Sequence, residues 1–117
     1  MFYHMCRAKI QRATITETQL EYEGSVTIDQ DLLDASSMLP GERVQVVNLN
    51  NGSRLESYVI PGARGSGVIC LNGPAARLGQ VGDRVHIIAY SWVNEEQARN
   101  CKIKTVYVDE NNRLLEK

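Results

Sequence analysis

The tetrapeptide Asn50-Asn51-Gly52-Ser53 constrains the fold more than any other segment, because it separates two runs that are typical of β-strands. The runs are residues 43–49 and 54–60, and both are rich in valine, leucine, isoleucine or tyrosine. Asparagine and glycine both tolerate a positive φ, so Asn-Gly between such runs strongly predicts a β-hairpin. We expect its second strand to end at Pro61-Gly62.

Other strand-like segments are short and separated by turns: residues 8–16, 68–71, 84–90, 104–108 and 113–115. Helical signals are brief. Asp29 is placed to cap a helix through Ala35, and Asn94 is placed to cap one through Arg99. Pro74 opens a single turn before Gly79. Many short strands with brief helices indicate a mostly β fold, and we predict a closed or nearly closed barrel.

Size and charge exclude several classes of protein. A chain of 117 residues is one domain, spanning residues 1–117, and it is long enough to bury a core. Its 13 basic and 14 acidic residues leave a net charge of -1, so we expect no nucleic-acid partner. No segment is long and apolar enough to cross a membrane, and the N-terminus lacks a signal-peptide layout. We therefore expect a cytoplasmic protein with no membrane partner.

The cysteines and histidines do not form a recognisable metal motif. Cys6, Cys70 and Cys101 are odd in number and widely spaced, and only His4 and His86 could add imidazole ligands. Each cysteine lies in an apolar or strand-like stretch, which favours inert, buried thiols. We expect no metal site.

The Gly24-Ser25 bond has a latent reactivity. Gly24 lacks a Cβ atom, so its backbone is free to adopt strained dihedral angles and its carbonyl is open to attack. The Ser25 hydroxyl can attack that carbonyl and convert the amide into an ester. Elimination at Ser25 then breaks the chain, and the resulting dehydroalanine hydrolyses to a pyruvoyl group. Taken alone, the dipeptide is more typical of an ordinary turn.

The surrounding motifs change that interpretation. Four segments occur in order: residues 22–29 around Gly24-Ser25, residues 51–58, residues 64–69, and residues 71–76 with the sequence Leu-Asn-Gly-Pro-Ala-Ala. Together they resemble the bacterial aspartate 1-decarboxylases, from about Lys9 to the end of the chain, and the chain length is similar.

The resemblance implies a small six-stranded double-psi β-barrel that assembles as a homotetramer with active sites between subunits. It implies self-cleavage between Gly24 and Ser25, giving a β chain of residues 1–24 and an α chain of residues 25–117. Ser25 then becomes the covalent pyruvoyl cofactor, which forms a Schiff base with L-aspartate and accepts electrons as carbon dioxide leaves. The product is β-alanine, used for pantothenate and coenzyme A. Some relatives need a helper protein, so a maturation helper is an expected kind of partner.

The resemblance also assigns roles to residues of the first two motifs and of the first strand. Tyr58 matches the residue that protonates the decarboxylated intermediate, and a phenol remains protonated at neutral pH. Arg54 matches a contact with a substrate carboxylate, and Lys9 matches a second cation in the pocket. We expect Arg54 to bind the side-chain carboxylate, since tight pairing of the departing α-carboxylate would oppose its loss.

Further roles fall on the last motif and on two departures from the family pattern. Asn72, Gly73, Pro74 and Ala75 match the segment beside the pyruvoyl group and substrate, where backbone N–H groups are expected to stabilise negative charge. Ser57 replaces the usual threonine that polarises the carbonyl attacked by Ser25, and it retains the hydroxyl. Gln11 replaces a frequent histidine and cannot titrate near neutral pH.

Three alternatives remain open from the sequence. The first is a catalytically silent barrel that serves as a binding or assembly module. The second is a decarboxylase of another small amino acid, such as glutamate. The third is a small nucleic-acid-binding barrel, which the neutral charge and an aromatic content of 6% disfavour.

Overall fold

The expected hairpin lies at the centre of a mixed β-sheet in the computed structural model, which describes residues 1–116. Its strands, β4 (Arg43–Asn48) and β5 (Arg54–Gly62), pair antiparallel, with Val47 opposite Arg54. Gly52 adopts a φ of 75°, whereas Asn51 does not adopt a positive φ. The hairpin is therefore confirmed, with glycine alone in the left-handed region.

Within residues 1–116 the sheet has eight strands in the order β2-β6-β3-β5-β4-β7-β1-β8. The remaining strands are β1 (Phe2–Thr14), β2 (Glu17–Gln19), β3 (Ser25–Asp29), β6 (Ile69–Asn72), β7 (Arg84–Asn94) and β8 (Lys104–Tyr107). The mostly β class and the single domain are confirmed, and the sheet is consistent with a barrel. We expected six strands, and the structure has two more within residues 1–116. The extra strands include the short β2 and β8, which have only 3 and 4 residues.

Several strand boundaries differ from the sequence prediction. Residues 2–7 and 91–94 extend β1 and β7 into a longer antiparallel ribbon, which the irregular sequence alternation did not reveal. Residues 113–115 form no strand, and only an isolated bridge joins Val108 to Leu114. Strand β5 ends at Gly62, as expected, and includes Pro61. Its pairing with β4 ends at Tyr58, so the missing Pro61 N–H is tolerated on an open edge.

The helices begin where the capping residues predict. Helix α1 (Gln30–Ser36) follows Asp29, whose carboxylate accepts a hydrogen bond from the Asp31 N–H at 2.8 Å. Helix α2 (Glu95–Arg99) begins at Asn94 with a complete capping box. The turn opened by Pro74 is a 3-10 helix, Gly73–Leu78.

No helix within residues 1–116 has the length and apolar character needed to cross a membrane.

The core lies beneath the strands that carry the site. Val26 and Ile28 of β3 pack with Val59 of β5 and Leu71 of β6, and all four are at most 1% exposed. Because side chains alternate along a strand, burying these residues fixes which face their neighbours occupy. Ser25, Tyr58 and Asn72 each adjoin one of these anchors, so the core determines their orientation.

Candidate active site

Ser25 begins β3 and is fully buried. It pairs with Asn72 across the β3–β6 ladder, and Asn72 Nδ2 donates a hydrogen bond to Ser25 Oγ at 2.8 Å. The same amide donates to Thr27 Oγ1 at 2.9 Å, while Asn72 Oδ1 accepts from Cys70 Sγ at 3.1 Å. Asn72 thus uses its side chain to hold the serine rather than to cap the 3-10 helix that it precedes.

Gly73 brings the next backbone segment against the Gly24-Ser25 bond. Its φ is +68°, and a Cβ atom there would lie 2.7 Å from the Tyr22 carbonyl oxygen and 3.0 Å from Gly24 N and Cα. Gly24 itself has no positive φ and has open space where a Cβ would lie. Gly24 therefore does not adopt a left-handed conformation, and the left-handed glycine beside this bond is Gly73. We call Gly24, Ser25, Thr27, Asn72 and Gly73 the processing cluster.

A cavity of 270 Å³ opens beside this cluster. Five residues that the sequence singled out line it: Gly24, Ser57, Asn72, Pro74 and Ala75. Leu55, Glu56 and Leu78 complete the wall. The structure therefore brings most of the expected processing and substrate-binding residues together, although they come from three separate parts of the chain.

Tyr58 lies on the strand next to Ser25. Strands β3 and β5 run parallel, with Val26 opposite Val59. Ser25 and Tyr58 each precede that pair by one residue, and side-chain alternation therefore places both on the same face of the two strands. Tyr58 is 40% exposed. Its hydroxyl has no hydrogen-bond partner in residues 1–116, and it is available to a ligand.

Arg54 and Lys9 lie on that same face but outside the cavity. Arg54, Val47 and His86 form one cross-strand row, and Lys9 occupies the neighbouring row opposite Ile88. Arg12 lies opposite His86 on β1, and Arg84 on β7 donates two hydrogen bonds to the Arg12 carbonyl. We call the four cations around His86 the basic patch: Lys9, Arg12, Arg54 and Arg84.

His86 is a site residue that the sequence did not reveal as such. Its Nδ1 accepts a hydrogen bond from the Arg12 backbone N–H at 3.1 Å. Partial burial, with smaller contributions from Lys9 and Arg12, lowers the pKa of His86 below its ordinary value. The imidazole is therefore neutral over a wider pH range than a free histidine. Only the cross-strand register connects it to Arg54, and no local motif signals that.

Cys70 contacts the processing cluster through Asn72. Burial, together with the nearby Glu17 carboxylate, raises the pKa of its thiol to about 11. A thiol that stays protonated can donate to Asn72 Oδ1, which fixes the amide orientation that Ser25 requires. The inert thiol expected at Cys70 is consistent with this environment.

Comparison with known proteins identifies the family of this chain. A model of the family described as aspartate decarboxylase matches residues 1–115. The chain belongs to the aspartate decarboxylase family. It is similar to the aspartate 1-decarboxylase of Carboxydothermus hydrogenoformans, with 59% identity over 98% of this chain and 91% of that protein. The Desulfitobacterium hafniense relative is 58% identical over 96% and 88%, and a Bacillus cereus relative is 56% identical over 99% and 91%.

Membership of the aspartate decarboxylase family confirms the resemblance drawn from the four sequence motifs. It also confirms the prediction of an enzyme, a decarboxylase acting on aspartate.

Proposed function

We propose that this chain is a self-processing enzyme that converts L-aspartate into β-alanine and carbon dioxide with a pyruvoyl group made from Ser25. β-Alanine of this origin would serve pantothenate and coenzyme A synthesis. The observation that carries the proposal is the buried Ser25 hydroxyl, which Asn72 holds at 2.8 Å directly beside Gly24. A buried, oriented hydroxyl next to an unhindered glycine carbonyl is what an intramolecular acyl shift requires.

The processing step balances without an added oxidant. Ser25 Oγ bonds to the Gly24 carbonyl carbon, the Gly24–Ser25 C–N bond breaks, and the proton from Oγ ends on the freed nitrogen. Loss of the Ser25 Cα proton then expels the Gly24 carboxylate and leaves dehydroalanine. One water enters and one ammonia leaves as the ketone forms. Ser57 lines the same cavity as Gly24, and we assign its hydroxyl the role of polarising the Gly24 carbonyl.

The residues around position 25 fit a pyruvoyl group. Once the Ser25 hydroxyl is consumed, Asn72 Nδ2 retains Thr27 Oγ1 as a partner and has one donor free for the new carbonyl. A ketone at position 25 would bind the substrate amine covalently and draw electrons from the bond to the departing carboxylate. Tyr58 leaves the same face as Ser25, so we assign its hydroxyl as the proton donor to the substrate carbon.

Two cations of the basic patch would bind the substrate. Arg54 is fixed by donating to Gln45 Oε1 at 3.0 Å, and we assign it the side-chain carboxylate of aspartate. Lys9 has no ion pair within residues 1–116, so its charge is available to the second carboxylate. Asn72, Gly73, Pro74 and Ala75 would form the opposite wall of the pocket.

The distribution of these residues supports a homotetramer with sites between subunits. Arg54 lies four residues from Tyr58, or about 13 Å along β5, and Lys9 lies three strands away. Neither residue lines the cavity beside Gly24. A second copy that places its basic patch over the first copy's Ser25 would complete the site. A maturation helper is a further proposed partner and would act on the processing cluster.

Intact-mass measurement tests the proposal most directly. Purified protein, warmed for increasing times, should yield residues 1–24 and residues 25–117. Their summed mass should exceed that of the precursor only by the difference between one water and one ammonia. Ordinary hydrolysis would add a full water and leave an N-terminal serine. A carbonyl reagent such as a hydrazine should label only the larger fragment, and Ser25→Ala should stay uncut.

Turnover distinguishes the remaining alternatives. Matured protein should release carbon dioxide from L-aspartate and form β-alanine, with glutamate as the control substrate. A preference for glutamate would reassign the substrate. A chain that stays uncut and releases no carbon dioxide would indicate a silent barrel and overturn the proposal.

A further inference from the structure

The first strand contains an irregularity where it passes the basic patch. Ile10 pairs with Ile87 and Ala13 pairs with Val85, so Gln11 and Arg12 of β1 together oppose His86 of β7. Two residues facing one define a β-bulge. Ile10 and Ala13 are both fully buried, and Gln11 and Arg12 therefore lie outside the core in succession. The bulge adds a charged side chain to the face that carries Lys9.

This bulge is not favoured by its own sequence. Arg12 has a φ of 58°, in the left-handed region that glycine normally occupies at such positions. A residue with a Cβ atom remains there only when its surroundings hold it. At Arg12 both backbone polar groups are bound by side chains of β7. The N–H donates to His86 Nδ1 at 3.1 Å, and the carbonyl accepts from Arg84 Nε at 2.9 Å and Nη2 at 2.6 Å.

We propose that His86 is a positioning residue for substrate binding: its neutral imidazole accepts the Arg12 N–H and fixes the bulge that sets Lys9 and Gln11 on the anion-binding face. That the bound substrate is aspartate rests on the proposed function, whereas the contact between His86 and Arg12 does not depend on it. A protonated imidazole carries hydrogen on both nitrogens and cannot accept this bond. Protonation would place the His86 Nδ1–H against the Arg12 N–H, so the hydrogen bond that holds the bulge would be lost.

The charged side chains around His86 are mainly cations, which disfavour its protonated form. Lys9 and Arg12 on β1, Arg84 on β7 itself and Arg54 at the far end of the Arg54–Val47–His86 row are all cations. A carboxylate in the adjacent row of this face, that of Glu56 on β5, is paired with Arg43 at 2.7 Å. Burial, with smaller contributions from Lys9 and Arg12, lowers the pKa of His86. The neutral, hydrogen-bond-accepting form is therefore present at neutral pH and is lost as acidity increases.

Matched variants separate this role from simple packing. His86→Leu removes the acceptor, whereas His86→Asn keeps a neutral acceptor that does not titrate. For matured wild-type enzyme we expect the KM for aspartate to rise at acid pH with a smaller change in kcat. His86→Leu should raise KM about tenfold at every pH, the scale of one lost hydrogen bond. His86→Asn should keep KM within about threefold of wild type at neutral pH and lose the acid rise. His4→Asn serves as the control and should retain the acid rise.

A second measurement does not depend on activity. Long-range proton–nitrogen NMR correlations on uncut Ser25→Ala protein should show His86 with Nδ1 unprotonated and Nε2 protonated at neutral pH. Failure of cleavage or turnover in the wild type would count against the proposed function alone, and this spectrum would still test His86. The inference is overturned if Nδ1 carries the proton, if His86→Leu leaves KM unchanged, or if His86→Asn retains the acid rise.

Discussion

Ser25 and Tyr58 lie on neighbouring parallel strands, yet their surroundings are opposite. Ser25 is fully buried and its hydroxyl is held by Asn72, whereas Tyr58 is 40% exposed and its hydroxyl is unpaired within residues 1–116. A reaction of the chain with itself needs a fixed internal geometry and no access for a ligand. A catalytic group that acts on each new substrate molecule, such as the proposed Tyr58 hydroxyl, needs a polar atom that no other protein group binds. We infer that the proposed maturation and turnover share Ser25 but depend on different neighbouring side chains, and the predictions below test that separation.

The largest effect should distinguish two consecutive residues on opposite faces of β5. Tyr58→Phe removes the proposed proton donor, so kcat should fall about 100-fold or more while cleavage at Ser25 proceeds normally. Ser57→Ala removes the hydroxyl beside Gly24, so cleavage should slow while fully matured enzyme keeps its kcat. Time-resolved mass measurement gives the first rate, and β-alanine formation gives the second.

The comparison holds only if each variant changes one of the two rates, cleavage or β-alanine formation, and leaves the other unchanged. A Ser57→Ala protein that matures at the wild-type rate would show that its hydroxyl is not needed. A Tyr58→Phe enzyme with unchanged kcat would remove Tyr58 from the reaction. If either variant slowed cleavage and β-alanine formation equally, maturation and turnover would depend on the same side chains, and the comparison would fail.

The next effect concerns the two glycines of the processing cluster. Gly73→Ala forces a Cβ against Tyr22 and Gly24 at a positive φ, and it should lower the free energy of unfolding by roughly 2–4 kcal/mol. Gly24→Ala meets open space without a positive φ, so its cost should be within about 1 kcal/mol. Urea denaturation in a Ser25→Ala background measures both without interference from cleavage. Equal losses would refute the close approach at Gly73.

A smaller effect is expected on the exposed side of the comparison. Arg54→Lys keeps the charge but loses the planar fork, so KM for aspartate should rise about tenfold with little change in maturation. Arg99→Lys, on the exposed helix α2, is the matched control and should leave both unchanged. An Arg54→Lys enzyme with full aspartate affinity would show that Arg54 does not grip a carboxylate.

Local signals in the sequence predicted the local structure well. The Asn50–Ser53 turn, the Asp29 cap and the Asn94 capping box each involve residues a few positions apart, and each was confirmed. The four ordered motifs predicted the family, which the comparisons confirmed. These successes share one cause, since each pattern is contained in a short stretch of chain.

The failures depended on distant pairing. Asn72 orients Ser25 from 47 residues away, and His86 meets Arg12 across 74 residues. Neither contact follows from spacing along the chain, because strand register is set by the whole core. The sequence singled out Gly24 for its conformational freedom. The left-handed conformation occurs instead at Gly73, where two segments approach each other in the fold.

The smallest effect concerns the thiol behind the processing cluster. Burial raises the pKa of Cys70 to about 11, with Glu17 contributing, so its reactive thiolate should remain scarce at mildly alkaline pH. Cys6 and Cys101 are only half-buried, so iodoacetamide should reach both thiols in the native protein. Peptide mapping of native Ser25→Ala protein should find Cys70 unmodified, and the unfolded protein should label at all three cysteines. Rapid labelling of native Cys70 would show that the thiol is ionised and does not donate to Asn72, which would remove one of the bonds that orient Ser25.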